Sequence, residues 1–254
     1  MSTRARQYDA QVLRREQLSP HLVRLTLGGL DGFESTGVPD EWVGLVVPGQ
    51  FQVRYYTVRS FADGELVLDE VVHDVGLVTE WAMRDCVGDT VTITEPKGSF
   101  DPPADAGWLM LVGDLTARPA MARIAESTDL PTRISAEVPD ELGGDLPAGP
   151  EVTWLEPPSA GASRLAEVVE GIDWPEGEGY FWMAGESAQM RAIRKHLMRE
   201  RTLPPAAYDV MGYWRGVKER QPRAVDPGPV WRAGKAAGKT DEQIWADYDR
   251  ARDE

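Results

Sequence analysis

The sequence predicts a β plus α/β protein: short antiparallel strands closing into a barrel, then a doubly wound parallel sheet, then a helical tail. Three observations predict it. Short runs of alternating apolar residues, broken by Gly and Pro, fill roughly the first hundred residues, as in small barrels. Continuous apolar runs then alternate with helix-period stretches, the pattern of βα units around a buried parallel sheet. After Arg215 periodicity stops until one amphipathic stretch near the C-terminus.

In the first part, Val23, Leu25 and Leu27 alternate with Arg24 and Thr26, and Gly28-Gly29 marks a turn. Leu45-Val46-Val47 and Phe51-Gln52-Val53 read as strands around Pro48-Gly49. Leu66-Val67-Leu68 and Val71-Val72 follow Asp63-Gly64, a strong turn signal. A helix is predicted over Val78 to Arg84, and Val91-Thr92-Ile93 closes the series.

Trp108 to Val112 opens the second part as a buried strand, with further strands at Ile134–Val138, Val152–Leu155 and Tyr180–Ala184. Helices are read at Arg118–Ala125, at Leu165, Val168, Val169 and Ile172 (spaced i, i+3, i+4, i+7), and at Met190, Ile193 and Leu197. Asp101-Pro102-Pro103 is a stiff junction, which divides the chain into 1–102, 103–217 and a basic linker with terminal helix, 218–254. That helix starts at Thr240-Asp241-Glu242-Gln243, a capping-box pattern, with Ile244, Tyr248 and Ala251 on one face.

Composition narrows the function classes. No apolar run approaches the ~20 residues of a membrane span, and polar residues follow the N-terminus. The lone Cys86 fits a reducing compartment, so a cytoplasmic address is expected. One cysteine excludes a disulfide framework, a four-cysteine zinc site and a cysteine-held iron–sulfur cluster within the chain. His21, His73 and His196 lie too far apart in sequence to suggest a metal site. A net charge of -15 disfavours nucleic acid. Between Arg215 and Lys239, however, basic residues dominate. That segment could steer an anionic ligand, or lie solvated against the acidic body.

Five segments carry the chemistry. In Arg54-Tyr55-Tyr56-Thr57, an arginine suits a phosphate, an aromatic two residues on shares its face, and the threonine can donate a hydrogen bond. A cross-strand Arg/Tyr pair would use the same residues. His73-Asp74-Val75-Gly76-Leu77-Val78-Thr79-Glu80-Trp81-Ala82 is a glycine turn entering a helix, where backbone N–H groups can meet phosphate. Gly113-Asp114-Leu115-Thr116-Ala117-Arg118-Pro119-Ala120 follows the first buried strand, where parallel sheets bind ligands. Trp182-Met183-Ala184-Gly185-Glu186 precedes Arg191 and Arg194, and Gly212-Tyr213-Trp214-Arg215 comes last.

In this order and spacing the segments resemble the siderophore-interacting proteins of the ferredoxin-reductase-like superfamily. Their Arg-x-Tyr-Ser/Thr, Trp-x-Ala-Gly-Glu and Gly-Tyr-Trp-Arg/Lys patterns are matched, their Gly-Asp-Glu-Thr-Ala pattern is met with Leu115 in place of the glutamate, and their His-Gly-x-Gly-Pro-Ala-x-x-Trp-Ala pattern is met at His73, Gly76, Trp81 and Ala82. The resemblance implies a six-stranded antiparallel FAD-binding barrel followed by an NAD(P)H-binding-like α/β domain. It implies non-covalent FAD held by Arg54, Tyr55, Tyr56, Thr57, His73, Gly76, Leu77, Val78, Thr79, Trp81, Asp114, Thr116 and Trp214, with Tyr56 and Thr57 at the reacting ring. Gly185, Glu186 and Arg191 would lie in the nicotinamide region. Arg215 and Lys218, with Arg118, would meet an anionic ferric siderophore. NAD(P)H or a ferredoxin would supply electrons to this oxidoreductase, no protein group would ligate iron, and the chain is expected to be a monomer. The family's strand before the arginine motif carries a lysine where Gly44 stands here. Beside a ferric-siderophore reductase of iron acquisition, Gly44 leaves open a reductase of the same fold with another acceptor, and Asp74, standing where the family's second segment has a glycine, leaves open a non-enzymatic binding module.

Overall fold

The computed structural model describes residues 6–50, 52–72, 76–139, 145–158, 163–215 and Lys239. Residues up to Arg215 form one compact unit and those from Gly216 another; the segment after Arg215, with its expected terminal helix, lies outside the described residues except for Lys239.

Strands β1 (Gln7–Ser19), β2 (Leu22–Gly28), β3 (Trp42–Val46), β4 (Arg54–Ala62), β5 (Glu65–Val71) and β6 (Thr90–Thr94) close a barrel in the order β1-β2-β5-β4-β3-β6, with helix α1 (Leu77–Ala82) between β5 and β6. All its pairings are antiparallel. The β4–β5 hairpin turns at Asp63-Gly64, where both residues take positive φ, 52° and 77°. Two-residue hairpins of the I′ type need that conformation, and Asp-Gly is the pair that tolerates it.

Strand β1 has no counterpart in the sequence reading. Ala10 and Val12 are buried in the core with Tyr8 packed against it, while Gln11, Arg14 and Glu16 are exposed. The strand exists because it pairs with both β2 and β6 and so removes the barrel's open edges. Gln52 and Val53 lie outside any strand, so the arginine motif opens β4 rather than ending a strand. The runs around Leu66 and Val71 merge into the single β5.

The second layer contains β7 (Leu109–Asp114), α2 (Arg118–Glu126), β8 (Thr132–Glu137), β9 (Glu151–Leu155), α3 (Leu165–Gly171), β10 (Tyr180–Glu186), α4 (Met190–Arg199) and β11 (Tyr208–Trp214). The sheet order is β11-β10-β7-β8-β9, all parallel. β7 and β10 are buried along their whole length, which explains their continuous apolar runs.

Two adjacent buried carboxylates join barrel and sheet. Asp40 Oδ1 accepts the backbone N–H groups of Ser99 (2.9 Å) and Phe100 (3.0 Å), and its Oδ2 faces the indole N–H of Trp182 in β10 at 3.3 Å. Glu41 accepts from Ser35, Thr36 and, at 2.9 Å, from Arg123 of α2. Burial opposes ionisation of Glu41, yet these donors hold its carboxyl below the usual range. A third clasp is Asp145, which faces Arg24 of β2, Arg59 of β4 and Arg118 of α2.

Candidate functional site

The start of β4 brings the first motif to the surface beside the sheet. Arg54 and Tyr55 are exposed, and no carboxylate pairs with Arg54 among the described residues. Tyr56 is half-buried against the barrel core. Burial, reinforced by the nearby Glu70, pushes its phenol above the ordinary range, with Arg54 opposing. Thr57 is 5% exposed, and its buried hydroxyl oxygen, beside the Tyr213 phenol, makes no well-formed hydrogen bond among the described residues. Its position is set by pairing with Trp42 across β3–β4.

Gly44 lies opposite Tyr55 in that ladder. A Cβ there would come within 2.4 Å of Val53 Cγ1 and 2.9 Å of Thr94 Cγ2, so the space of a side chain is already filled. The Gly44 N–H donates to Thr94 Oγ1 at 2.8 Å. A lysine could stand here only if Val53 and Thr94 moved.

The second motif divides. Leu77 is exposed at the start of α1, whereas Val78 and Trp81 are buried in the barrel core. The Trp81 indole N–H donates to Asp89 at 2.8 Å, so this tryptophan anchors α1 rather than presenting its ring to a ligand. Thr79 is buried with its hydroxyl toward Glu70 of β5. Burial pushes the Glu70 carboxyl up to about 8, against the opposing Thr79 hydroxyl and Arg15. Arg15 spends its donors on Ala82 O (2.5 Å) and Gln17. Gly76 is exposed, and His73 lies outside the described residues.

At the carboxyl end of the sheet, β7, β8 and β10 each finish in a buried carboxylate: Asp114, Glu137 and Glu186. Asp114 accepts from the Thr116 N–H (2.9 Å), the Thr116 hydroxyl (2.5 Å) and the Trp214 indole N–H (2.6 Å). Burial pushes the Asp114 carboxyl up, with Thr116 and Trp214 opposing. Asp114, Thr116 and Trp214 thus hold one another. Gly185 is required beside them, because a Cβ would lie 2.7 Å from Asp114 Oδ2. Glu186 accepts from the Ser163 N–H and Glu137 from the Arg164 N–H, both at 2.9 Å. Arg191 is exposed on α4 and Arg215 is exposed after β11.

Arg118 departs from its expected role at a siderophore. It is fully buried, 3.7 Å from Asp145, with its guanidinium 5.6 Å from the Trp154 ring centroid. Helix α2 turns its first residue inward, so the side chain supports the clasp between the layers. Lys218 lies outside the described residues. Among the described residues no cluster of His, Cys, Asp and Glu could hold a metal ion, and no helix is long and apolar enough to cross a membrane.

Glu70 lies beside Tyr56 and Thr79 without being an expected site residue, and Tyr213 stands in the last motif with no role expected of it. Period 2 places Glu70 on the same face as Leu66 and Leu68, so its burial was readable. Tyr213 was not readable in this way, because its neighbour Thr57 is distant in sequence.

Residues 106–216 match the family model described as siderophore-interacting protein, and residues 49–100 match that of the siderophore-interacting FAD-binding domain. An NADPH-dependent ferric-chelate reductase from Escherichia coli is 28% identical over 81% of this chain and 92% of its own length. The ferric vibriobactin reductase ViuB of Vibrio cholerae is 27% identical over 82% of this chain and 89% of its own length. The crystal structure of the siderophore-interacting protein SipS from Aeromonas hydrophila superposes with a TM-score of 0.70 at 26% identity, covering 92% of this chain and 98% of that one. A closed six-stranded barrel ahead of a five-stranded parallel sheet, matched in both halves by the family's models, makes this chain a member of the siderophore-interacting protein family, with the fold of the ferredoxin reductases.

Proposed function

We propose that this protein reduces ferric siderophores through a non-covalently bound FAD, with electrons drawn from NAD(P)H or a ferredoxin. One observation carries the reading. The segment matched by the FAD-binding model contains an exposed Arg54 without a carboxylate partner among the described residues, and a buried Thr57 hydroxyl that makes no well-formed hydrogen bond among them. A phosphate suits the first and the edge of a flavin ring suits the second. FAD, when bound, accepts a two-electron hydride and releases electrons singly, which Fe(III) requires. The chain's residues supply the rest. Arg54 would hold a phosphate, Tyr56 would lie against the ring, and Thr57 would donate to its edge. Arg215, exposed at the end of β11, would attract an anionic iron complex. Oxygen-donor siderophores hold Fe(II) far more weakly than Fe(III), so reduction alone releases the metal.

Gly44 favours a second reading, a reductase of the same fold with another acceptor, because the family's lysine is absent and a side chain there would have to displace Val53 and Thr94. An anaerobic assay separates the two. The FAD-loaded protein is given NADH, NADPH or reduced ferredoxin in separate arms, with a panel of ferric siderophores and an Fe(II) chelator. Iron release from at least one complex is the expected result. Flavin reduction without release from any complex would favour the second reading. A colourless protein that takes up no FAD would sink both.

Arg54→Ala is expected to raise the FAD dissociation constant about tenfold to a hundredfold, because a charge-assisted contact is worth roughly 1.5–3 kcal/mol. Titration of the apoprotein with FAD measures it, and an unchanged constant would remove Arg54 from the phosphate.

A further inference from the structure

Tyr213 occupies an irregular position in the sheet. Along the β10–β11 ladder Gly185 pairs with Gly212, but Glu186 pairs with Trp214, so Tyr213 is an extra residue with no partner across the strand. Such a bulge re-aims a side chain and is common beside functional sites. The phenol oxygen is buried and lies next to the Thr57 hydroxyl. Neither oxygen makes a well-formed hydrogen bond among the described residues.

The bulge is held from every side. A Cβ on Gly212 would come within 2.4 Å of Ser187 Oγ, so β11 packs tightly there on the turn that follows β10. The Ser187 N–H donates to Trp214 O at 2.8 Å, and Trp214 is itself tied to Asp114. The Tyr213 ring stands edge-on to Trp182 at 6.4 Å and 83°, and Trp182 faces Asp40. A side chain fixed by its supporting shell, with its buried hydroxyl beside another, is built for positioning.

We infer that Tyr213 is a positioning residue for Thr57: its phenol O–H donates to Thr57 Oγ1, which leaves the threonine's own proton as the donor directed at the bound cofactor. A phenol is the stronger donor of the two and an aliphatic hydroxyl the better acceptor, which sets the direction. The two residues come from different layers, so the arrangement also links the last strand of the sheet to the flavin edge. The inference rests on the proposed FAD site.

The test is a double-mutant cycle on the FAD-loaded protein, read as FAD dissociation constant and as the shape and position of the flavin visible band. Tyr213→Phe removes only the hydroxyl and keeps the ring packing. It is expected to weaken FAD binding about fivefold, since a net hydrogen bond contributes about 1 kcal/mol, and to shift the band. Thr57→Val is expected to do the same, and the double variant no more than Thr57→Val alone. Thr57→Ser keeps the hydroxyl and should preserve the full effect of Tyr213→Phe, which covers the case in which valine disturbs folding. Losses that multiply in the double variant, or a Tyr213→Phe protein identical to wild type, would overturn the inference while leaving the flavin reading intact. A wild-type chain that binds no FAD would instead overturn that reading, and this inference with it.

Discussion

Asp40→Ala is expected to destabilise the protein by about 3–5 kcal/mol. Three donors converge on this fully buried carboxylate: the N–H groups of Ser99 and Phe100 and the indole N–H of Trp182. Removing it leaves all three without an acceptor, and each unsatisfied buried donor costs about 1–3 kcal/mol, reduced where water can enter. The Ser99 hydroxyl lies between Asp40 (3.0 Å) and Asp209 (2.7 Å) and has one proton, so it can turn to Asp209 and is the least affected group. Asp40→Asn should lose less. Its remaining oxygen can keep the two backbone donors, while its amide NH₂ meets the Trp182 N–H donor to donor. Denaturant unfolding of the three proteins measures the order wild type, Asn, Ala. A midpoint unchanged in the alanine variant would show that Asp40 does not hold barrel and sheet together.

Glu70→Gln is expected to stabilise the protein above neutral pH and to leave it little changed below pH 5. Glu70 is 2% exposed, and its carboxyl titrates near 8 in the fold against 4.5 as a free side chain. The folded state therefore keeps a proton that the unfolded chain gives up between those values. Stability contributed by the neutral acid is fully present below about 4.5. It is lost at about 1.4 kcal/mol per pH unit up to about 8, an upper bound near 5 kcal/mol. The groups facing this carboxyl are Thr79 of α1, Arg15 of β1, Tyr56 of β4 and Cys86, whose thiol burial also pushes up. Glutamine keeps the shape without the charge. Thermal unfolding from pH 5 to 9 should show wild type falling and the variant staying level by comparison. Parallel curves for the two proteins would refute a neutral Glu70.

Much of the fold was legible because burial leaves a period in the sequence. β2, β5 and β6 alternate, and β7 and β10 run apolar throughout because both faces of the parallel sheet are covered. β1 was not legible. Its outward residues are charged, and it is a strand through its neighbours rather than its own pattern. β11 was hidden for a related reason: Gly212 and the bulged Tyr213 break the alternation where the strand meets the site.

By itself the sequence determined the order of barrel and sheet and the segments that carry the chemistry, because strand period, turn residues and motif spacing are local properties. Only the tertiary structure decided which side chains within those segments are available. Arg118 and Trp81 turned inward to support the two layers, while Arg54 has no carboxylate partner and the Thr57 hydroxyl no well-formed hydrogen bond among the described residues. It also decided that Val53 and Thr94 fill the space beside Gly44 and that the buried Tyr213 phenol lies beside the Thr57 hydroxyl. Availability depends on which distant residues fill the space and accept the hydrogen bonds around a group, and spacing along one chain does not contain that information.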